Sequence, residues 1–67
     1  MQAYAECIRG RREELRLSKA QLAAKVGVDR ITIHRWETGT HKPSRALRPL
    51  LASALDVPPS RLAAWFA

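Results

Sequence analysis

Residues that start, stop or bend helices recur at short intervals along this chain, and their spacing constrains the fold more than any other feature of the sequence. The breaks fall at Leu17-Ser18, Gly27, Gly39, Pro43, Pro49 and Pro58-Pro59. The segments between them are short, none alternates apolar and polar residues over a useful length, and residues that favour strands are sparse. We therefore predict an all-α fold built from short helices.

The start and stop signals divide the chain into five predicted helices. Ser18 is a good N-cap for the second helix, Gly27 ends this helix, and Asp29 caps the third. Pro49 would break the interior of a helix, so the regular part of the fourth helix is expected to begin near it rather than at Ser44. The predicted helices cover residues 3–16, 19–26, 30–36 or 30–38, from 47–49 to 55, and 61–67.

Apolar residues repeat at helical spacing along the first helix, with one exception. Tyr4, Ala5 and Ile8 share a face, and Leu15 lies on the same stripe. Arg12 also falls on this stripe, where a buried guanidinium group without a partner would cost several kcal/mol. We therefore expect a carboxylate from elsewhere in the chain to pair with Arg12.

The block from Lys19 to Gly39 joins two predicted helices through a glycine turn. Ala23 is small enough to let the two helices cross closely, and Gly27 supplies the turn. The apolar residues that would fill the shared core are Leu22, Val26, Val28, Ile33 and Trp36. These residue types, at these separations, are the ones that a helix-turn-helix motif requires.

The net charge of the chain indicates what class of molecule it binds. The chain carries 12 Lys and Arg residues against 6 Asp and Glu residues, which gives a net charge of +6 and a pI near 10.8. Such a positive field on so small a surface favours a polyanion, with nucleic acid as the first candidate and an anionic membrane surface as the second. From Arg30 to Arg48 there are five basic residues and one acid, Glu37. The other basic cluster, Arg9-Arg11-Arg12-Arg16, is diluted by glutamates and is interpreted as an ordinary solvated helix face.

Several classes of function lose support at this stage. A chain of 67 residues has little room to enclose a pocket, and it contains neither a supported catalytic grouping nor a glycine-rich phosphate loop, so we predict no enzyme and no cofactor. Cys7, His34 and His41 lack a recognised metal-ligand spacing, and we predict no metal. Without an internal disulfide, a run of roughly 18 apolar residues or a signal peptide, the protein is expected to be cytoplasmic.

The run ELRLSKAQLAAKVGVDRITIHRWETGTHKPS resembles the phage-repressor/Cro (XRE) family of helix-turn-helix domains. The later tract LASALDV is similar to that family's downstream pattern. The resemblance covers residues 8–62 and implies a compact five-helix, lambda-repressor-like bundle, in which residues 1–67 form one DNA-binding domain with its helix-turn-helix core at 19–39. The chain departs from the family at Lys19, where glutamine is common, and at Arg48 and Pro49, where many members carry leucines.

The third helix is expected to carry the contacts with DNA bases. On a helical wheel Ile33 and Trp36 face inward, whereas Ile31 and Arg35 lie on the opposite side. An isoleucine that faces water has no packing purpose, but in a major groove it can contact a thymine methyl group. The predicted base contacts are Arg30, Ile31, Thr32, His34 and Arg35, and the resemblance supports all of them except His34. The predicted phosphate contacts on either side are Ser18, Lys19, Thr40, His41, Lys42, Ser44 and Arg45.

Glu37 is the expected partner of Arg12, because both residues fall on inward faces. The resemblance implies a similar structural ion pair between the first helix and the end of the third. The end of the chain leaves two interpretations open: Trp65 and Phe66 either pack into the core beside Leu62 or make a dimer contact.

The sequence thus predicts a sequence-specific regulator of transcription that binds double-stranded DNA and acts as a repressor, with helix 30–37 in the major groove. The resemblance implies a homodimer on a palindromic operator, in a bacterial or phage context, held at the nucleoid by its DNA. Two alternatives stay open. One is an antitoxin-type autorepressor that also binds a toxin, and the other is a protein–protein interaction module of the same fold.

Overall fold

Five α-helices and the turns between them make up residues 3–67, which are the residues that the computed structural model describes. The helices are α1 (Ala3–Glu14), α2 (Lys19–Val26), α3 (Arg30–Glu37), α4 (Arg48–Ala54) and α5 (Pro59–Trp65). No strand occurs in this part of the chain. The prediction of an all-α, five-helix fold is confirmed. α2 has the predicted bounds, and α3 ends between its two predicted ends.

Four helices are followed by a residue in the left-handed backbone region: Arg16 (φ 58°), Gly27 (φ 92°), Gly39 (φ 78°) and Asp56 (φ 54°). The predicted end of α1 at residue 16 was wrong by two residues, because Arg16 adopts this conformation although it is not a glycine. The backbone amide of Leu17 then donates a hydrogen bond to the carbonyl of Arg12 at 3.1 Å, which closes the helix after Glu14. A helix can therefore end in this way without the residue that usually marks it in a sequence.

Prolines set where α4 and α5 begin. The carbonyl of Ser44 accepts two backbone hydrogen bonds in a turn before α4. Pro49 then occupies the second position of that helix, where an N–H group has no partner within the helix, so the missing N–H of proline costs no hydrogen bond. Pro59 is the first residue of α5 for the same reason. α5 therefore begins two residues before the predicted start at 61, and it ends at Trp65 rather than at 67.

The core lies between all five helices, and its largest fully buried side chains are Ile8, Leu22, Ile33, Pro43, Leu51, Leu55 and Leu62. The apolar stripe predicted for α1 is buried at Tyr4, Ala5 and Ile8. Trp65 and Phe66 are partly buried against the core, and the ring of Phe66 stacks on that of Tyr4 with centroids 5.3 Å apart. Both aromatic residues therefore take the first of their two predicted roles, which is packing.

The ion pair predicted between Arg12 and Glu37 is present and joins α1 to the end of α3. Nε of Arg12 donates to Oε2 of Glu37 at 2.6 Å, and Nη2 donates to Oε1 at 2.9 Å. The residues are only 9% and 8% exposed, and Nη1 of Arg12 donates to the carbonyl of Leu17 at 2.9 Å. The hydrogen bond with Glu37 raises the pKa of Arg12 above its ordinary value. Because the pair is bidentate and both groups are satisfied, it holds the two helices in one relative position.

Candidate nucleic-acid interface

α3 has a buried face and an exposed face, and the two carry different residue types. Ile33 and Trp36 lie in the core, with 0% and 2% of their surface exposed. On the other side Ile31 is 50% exposed, and Arg30 and Arg35 are exposed beside it. An isoleucine that is half exposed on this face gains little from packing within the domain. In a major groove such an isoleucine can contact a thymine methyl group, and the neighbouring arginine side chains can bond to acceptors of guanine.

Side-chain caps set where the two helices of the motif begin. Oγ of Ser18 accepts a hydrogen bond from the amide of Gln21 at 3.0 Å, and Oε1 of Gln21 accepts one from the amide of Ser18 at 2.8 Å. Oδ1 of Asp29 accepts from the amide of Thr32 at 3.0 Å and from its hydroxyl group at 2.7 Å. The bond from the hydroxyl group, followed by that from the amide, holds the pKa of Asp29 below its ordinary value.

Capping limits what two of the predicted contact residues can offer to DNA. The hydroxyl group of Thr32 donates its proton to Asp29, so its oxygen remains as an acceptor only. Thr32 can therefore bond only to a hydrogen-bond donor on a base, such as the amino group of adenine or cytosine. Oγ of Ser18 is itself an acceptor in its cap, so its proton stays available for a phosphate oxygen.

One predicted phosphate contact and one predicted base contact touch each other across the motif. Nζ of Lys19, at the start of α2, lies 2.9 Å from Nδ1 of His34 in the middle of α3. The residues are 15 positions apart, and no sequence rule pairs them. Only the crossing of the two helices brings the side chains together.

The loop 40–45 is held against α1 by Tyr4. The hydroxyl group of Tyr4 donates to the carbonyl of His41 at 3.2 Å, and Nζ of Lys42 lies 5.8 Å from the centroid of its ring. Pro43 is fully buried. The predicted phosphate contacts of this loop are all exposed: Thr40, His41, Lys42, Ser44 and Arg45. The backbone of the loop is thus held in place, while the side chains of its predicted contact residues are exposed to solvent.

The electrostatics of this face follow from the buried ion pair. Glu37 is the one acid between residues 30 and 48, and its carboxylate is bonded to Arg12 inside the domain. The basic residues of that segment therefore face no exposed acid within it: Arg30, Arg35, Lys42, Arg45 and Arg48. A surface of this kind attracts a polyanion.

The interpretation of Arg9-Arg11-Arg12-Arg16 as a solvated face was wrong at two positions. Arg12 is buried in its ion pair, and Arg11 bonds to the end of α4. Nε of Arg11 donates to the carbonyl of Leu55 at 2.9 Å, and Nη2 donates to that of Asp56 at 3.2 Å. Carbonyl groups at a helix end have no partner within the helix, and the guanidinium group supplies one. Arg11 lies seven residues after Tyr4, on the inward stripe of α1. This spacing is the sequence signal that Arg11 faces the other helices and not solvent.

Residues 3–67 also bear on metal binding and on membrane insertion. Within these residues no group of three or more His, Cys, Asp and Glu side chains could hold a metal ion. No helix among them is both long and apolar enough to span a membrane. Cys7 is a free thiol of intermediate exposure.

Comparison with known proteins identifies the family. A helix-turn-helix domain model matches residues 3–65. The structure is similar to that of the P22 c2 repressor protein in complex with synthetic operator 9T, with a TM-score of 0.85 and 34% identity over 92% of this chain and 94% of that chain. It is also similar to the restriction-modification controller protein C.AhdI from Aeromonas hydrophila, with a TM-score of 0.82 and 32% identity over 88% and 86% of the two chains. A search of curated proteins found no match. The chain belongs to the helix-turn-helix domain family and is of the phage-repressor/Cro type.

Proposed function

We propose that this protein is a sequence-specific regulator of transcription that binds double-stranded DNA and represses by occluding promoter DNA. The observation that carries the proposal is the exposed face of α3, where Ile31 lies in solvent beside Arg30 and Arg35. Two similar structures, a repressor in complex with a synthetic operator and a controller protein, support this function.

In the proposed complex α3 lies in the major groove and reads base edges. The guanidinium groups of Arg30 and Arg35 have the fork geometry that matches O6 and N7 of guanine. Ile31 packs on a thymine methyl group, and Thr32 accepts from a base amino group, since its proton is bonded to Asp29. These contacts supply the specificity.

Phosphate contacts on both sides of α3 set its position in the groove. Ser18 and Lys19 lie at the start of α2, where backbone amides and the helix dipole favour an anion. The loop 40–45 contacts the backbone on the other side through its exposed polar and basic side chains. Contacts of this kind carry little sequence information, but they supply affinity that falls as salt rises.

The functional unit in this proposal is a homodimer on a palindromic operator. A single α3 has only eight residues, of which about half are exposed, and so few base contacts specify a short half-site. Two copies related by a two-fold axis double the contacts if their half-sites lie about 34–36 Å apart, which is one helical turn of DNA. The antitoxin alternative gains no support from the similarity to these two proteins.

Selection of bound duplexes from a randomised pool at moderate salt, followed by sequencing, tests the proposal directly. Wild-type protein is expected to enrich a palindrome. A variant with Arg30→Ala, Ile31→Ala and Arg35→Ala changes exposed residues only, and it is expected to lose the enrichment while it keeps its melting temperature.

Three other results would contradict parts of the proposal. Enrichment of a single half-site would argue against the dimer. Retention of DNA without enrichment would indicate binding driven by charge alone. If no duplex were retained even at low salt, the regulator would be excluded and the protein–protein interaction module would remain.

A further inference from the structure

The contact between Lys19 and His34 assigns a role to each nitrogen of the histidine ring. An ammonium group has three donors and no acceptor. Nδ1 of His34, 2.9 Å from Nζ of Lys19, therefore accepts the hydrogen bond and carries no proton. In the neutral ring the proton is then on Nε2, because the bond made by one ring nitrogen sets the state of the other.

The second nitrogen of the ring is left for a ligand. His34 is exposed on α3, three residues after Ile31 and on the same side of the helical wheel. Among the hydrogen bonds within residues 3–67, none involves Nε2 of His34. The side chain thus presents one donor of defined position on the face that carries the proposed base contacts.

We infer that Lys19 positions His34 so that its Nε2–H reads a hydrogen-bond acceptor on a base edge, such as N7 or O6 of guanine. This inference rests on the proposed DNA-binding function. Lys19 is a positioning residue here, since it acts on the base through His34. Two of its three donors remain free for a phosphate oxygen, so one side chain links the DNA backbone to the reading of a base.

Loss of Lys19 has a specific consequence. Without the ammonium group the ring can rotate and can carry its proton on either nitrogen, so it offers a donor or an acceptor to the same base edge. A ring that offers both no longer distinguishes an acceptor such as guanine N7 from a donor such as the cytosine amino group. The expected defect is a relaxed preference at one base pair, on top of a general loss of affinity from the missing charge.

The test begins with the duplex selected by the wild-type protein. His34→Ala identifies the base pair that His34 reads, because preference is lost there and kept elsewhere. Lys19→Met is expected to reduce discrimination at that same base pair about three- to tenfold, the size of one hydrogen bond. Lys19→Arg is expected to restore it, since a guanidinium group is also a donor without an acceptor. Lys25→Met removes the same charge from an exposed position on α2 and is expected to leave the preference unchanged.

The free protein provides a second readout that needs no DNA. Nitrogen-15 shifts of the His34 ring are expected to show Nδ1 without a proton and Nε2 with one. In Lys19→Met the two shifts are expected to move towards each other.

Each contrary outcome points to a different error. If Lys19→Met weakened binding equally at every base pair and kept the preference at the His34 position, Lys19 would be a phosphate contact only and the inference would be overturned. A wild-type ring protonated at Nδ1 would overturn it as well. Failure of the wild-type protein to enrich any duplex would instead exclude the proposed function, and the nitrogen shifts would still decide whether Lys19 sets the tautomer.

Discussion

α1 and α3 both carry arginines, and they use them in opposite ways. Arg11 and Arg12 of α1 bond to groups 25 to 45 positions away in the chain and lie against the core. Arg30 and Arg35 of α3 are exposed. The same side chain therefore stabilises the fold where it faces other helices and is left for a ligand where it faces solvent. Substitutions in α1 are expected to change stability first, whereas substitutions on the exposed face of α3 are expected to change DNA binding alone.

The largest effect is expected from Glu37→Ala. This change leaves the guanidinium group of Arg12 buried without its carboxylate, which costs about 3–5 kcal/mol. For a domain of this size, 1 kcal/mol corresponds to about 4–8 °C in melting temperature. Thermal unfolding followed by circular dichroism measures the loss. Glu13→Ala removes an exposed acid of α1 and serves as the control. A Glu37→Ala variant that melts within a few degrees of wild type would show that the pair contributes little.

Arg35→Ala tests the other half of the comparison. If Arg35 reads guanine, its removal weakens binding to the selected duplex by about 1–3 kcal/mol and has little effect on random DNA. Its melting temperature is expected to match that of wild type, because the side chain is exposed. The control is Arg9→Ala, which removes the same charge from the exposed surface of α1. Equal losses on selected and random duplexes would reassign Arg35 to phosphate contact.

Arg11→Ala is expected to have a smaller effect on stability. It removes two hydrogen bonds to the end of α4, and the expected total loss is about 1–2 kcal/mol because the charged donor is partly exposed. Urea denaturation of Arg11→Ala and of Arg9→Ala compares a bonded arginine with an exposed one on the same helix. Equal midpoints would mean that the bonds to α4 do not stabilise the folded protein.

Arg16→Gly is expected to raise stability slightly. Arg16 has φ 58°, a conformation that costs an L-residue about 1–2 kcal/mol and costs glycine almost nothing. Part of the gain is offset because glycine loses more backbone freedom on folding, so the net increase is about 0.5–1 kcal/mol. Arg9→Gly, in the middle of α1, is the matched control and should lower stability by about 1 kcal/mol. A fall in the urea midpoint of Arg16→Gly would contradict this account of the helix end.

The predictions from sequence were accurate where the interacting groups are close in the chain. The caps of α2 and α3 bond residues three positions apart, and Gly27 ends α2 through its own backbone conformation. Ser18, Asp29 and Gly27 could therefore be identified by residue type alone. The amphipathic pattern also separated Ile33 from Ile31, because the two faces of a helix follow from its period.

Longer-range contacts were harder to predict, and so were helix bounds that lack the usual residue signal. The end of α1 depends on Arg16 in a conformation that glycine usually adopts, and the bonds of Arg11 depend on where α4 ends in space. The pair of Arg12 and Glu37 is an exception, since a charged residue on an apolar stripe requires a partner and one inward acid was available. The structure shows where the residues predicted to contact DNA lie. Their roles in binding stay predictions until DNA binding is measured.

By itself the sequence determined the number of helices, the caps of the motif, the identity of the buried stripe and the excess of positive charge, all of which depend on residue type and local spacing. The tertiary structure alone decided that Tyr4 holds the loop at His41, that Arg11 bonds to the end of α4 and that Lys19 touches His34. These contacts join residues 37, 44 and 15 positions apart. Their partners are set by how the helices cross, because a side chain selects the nearest compatible group in space and not in sequence.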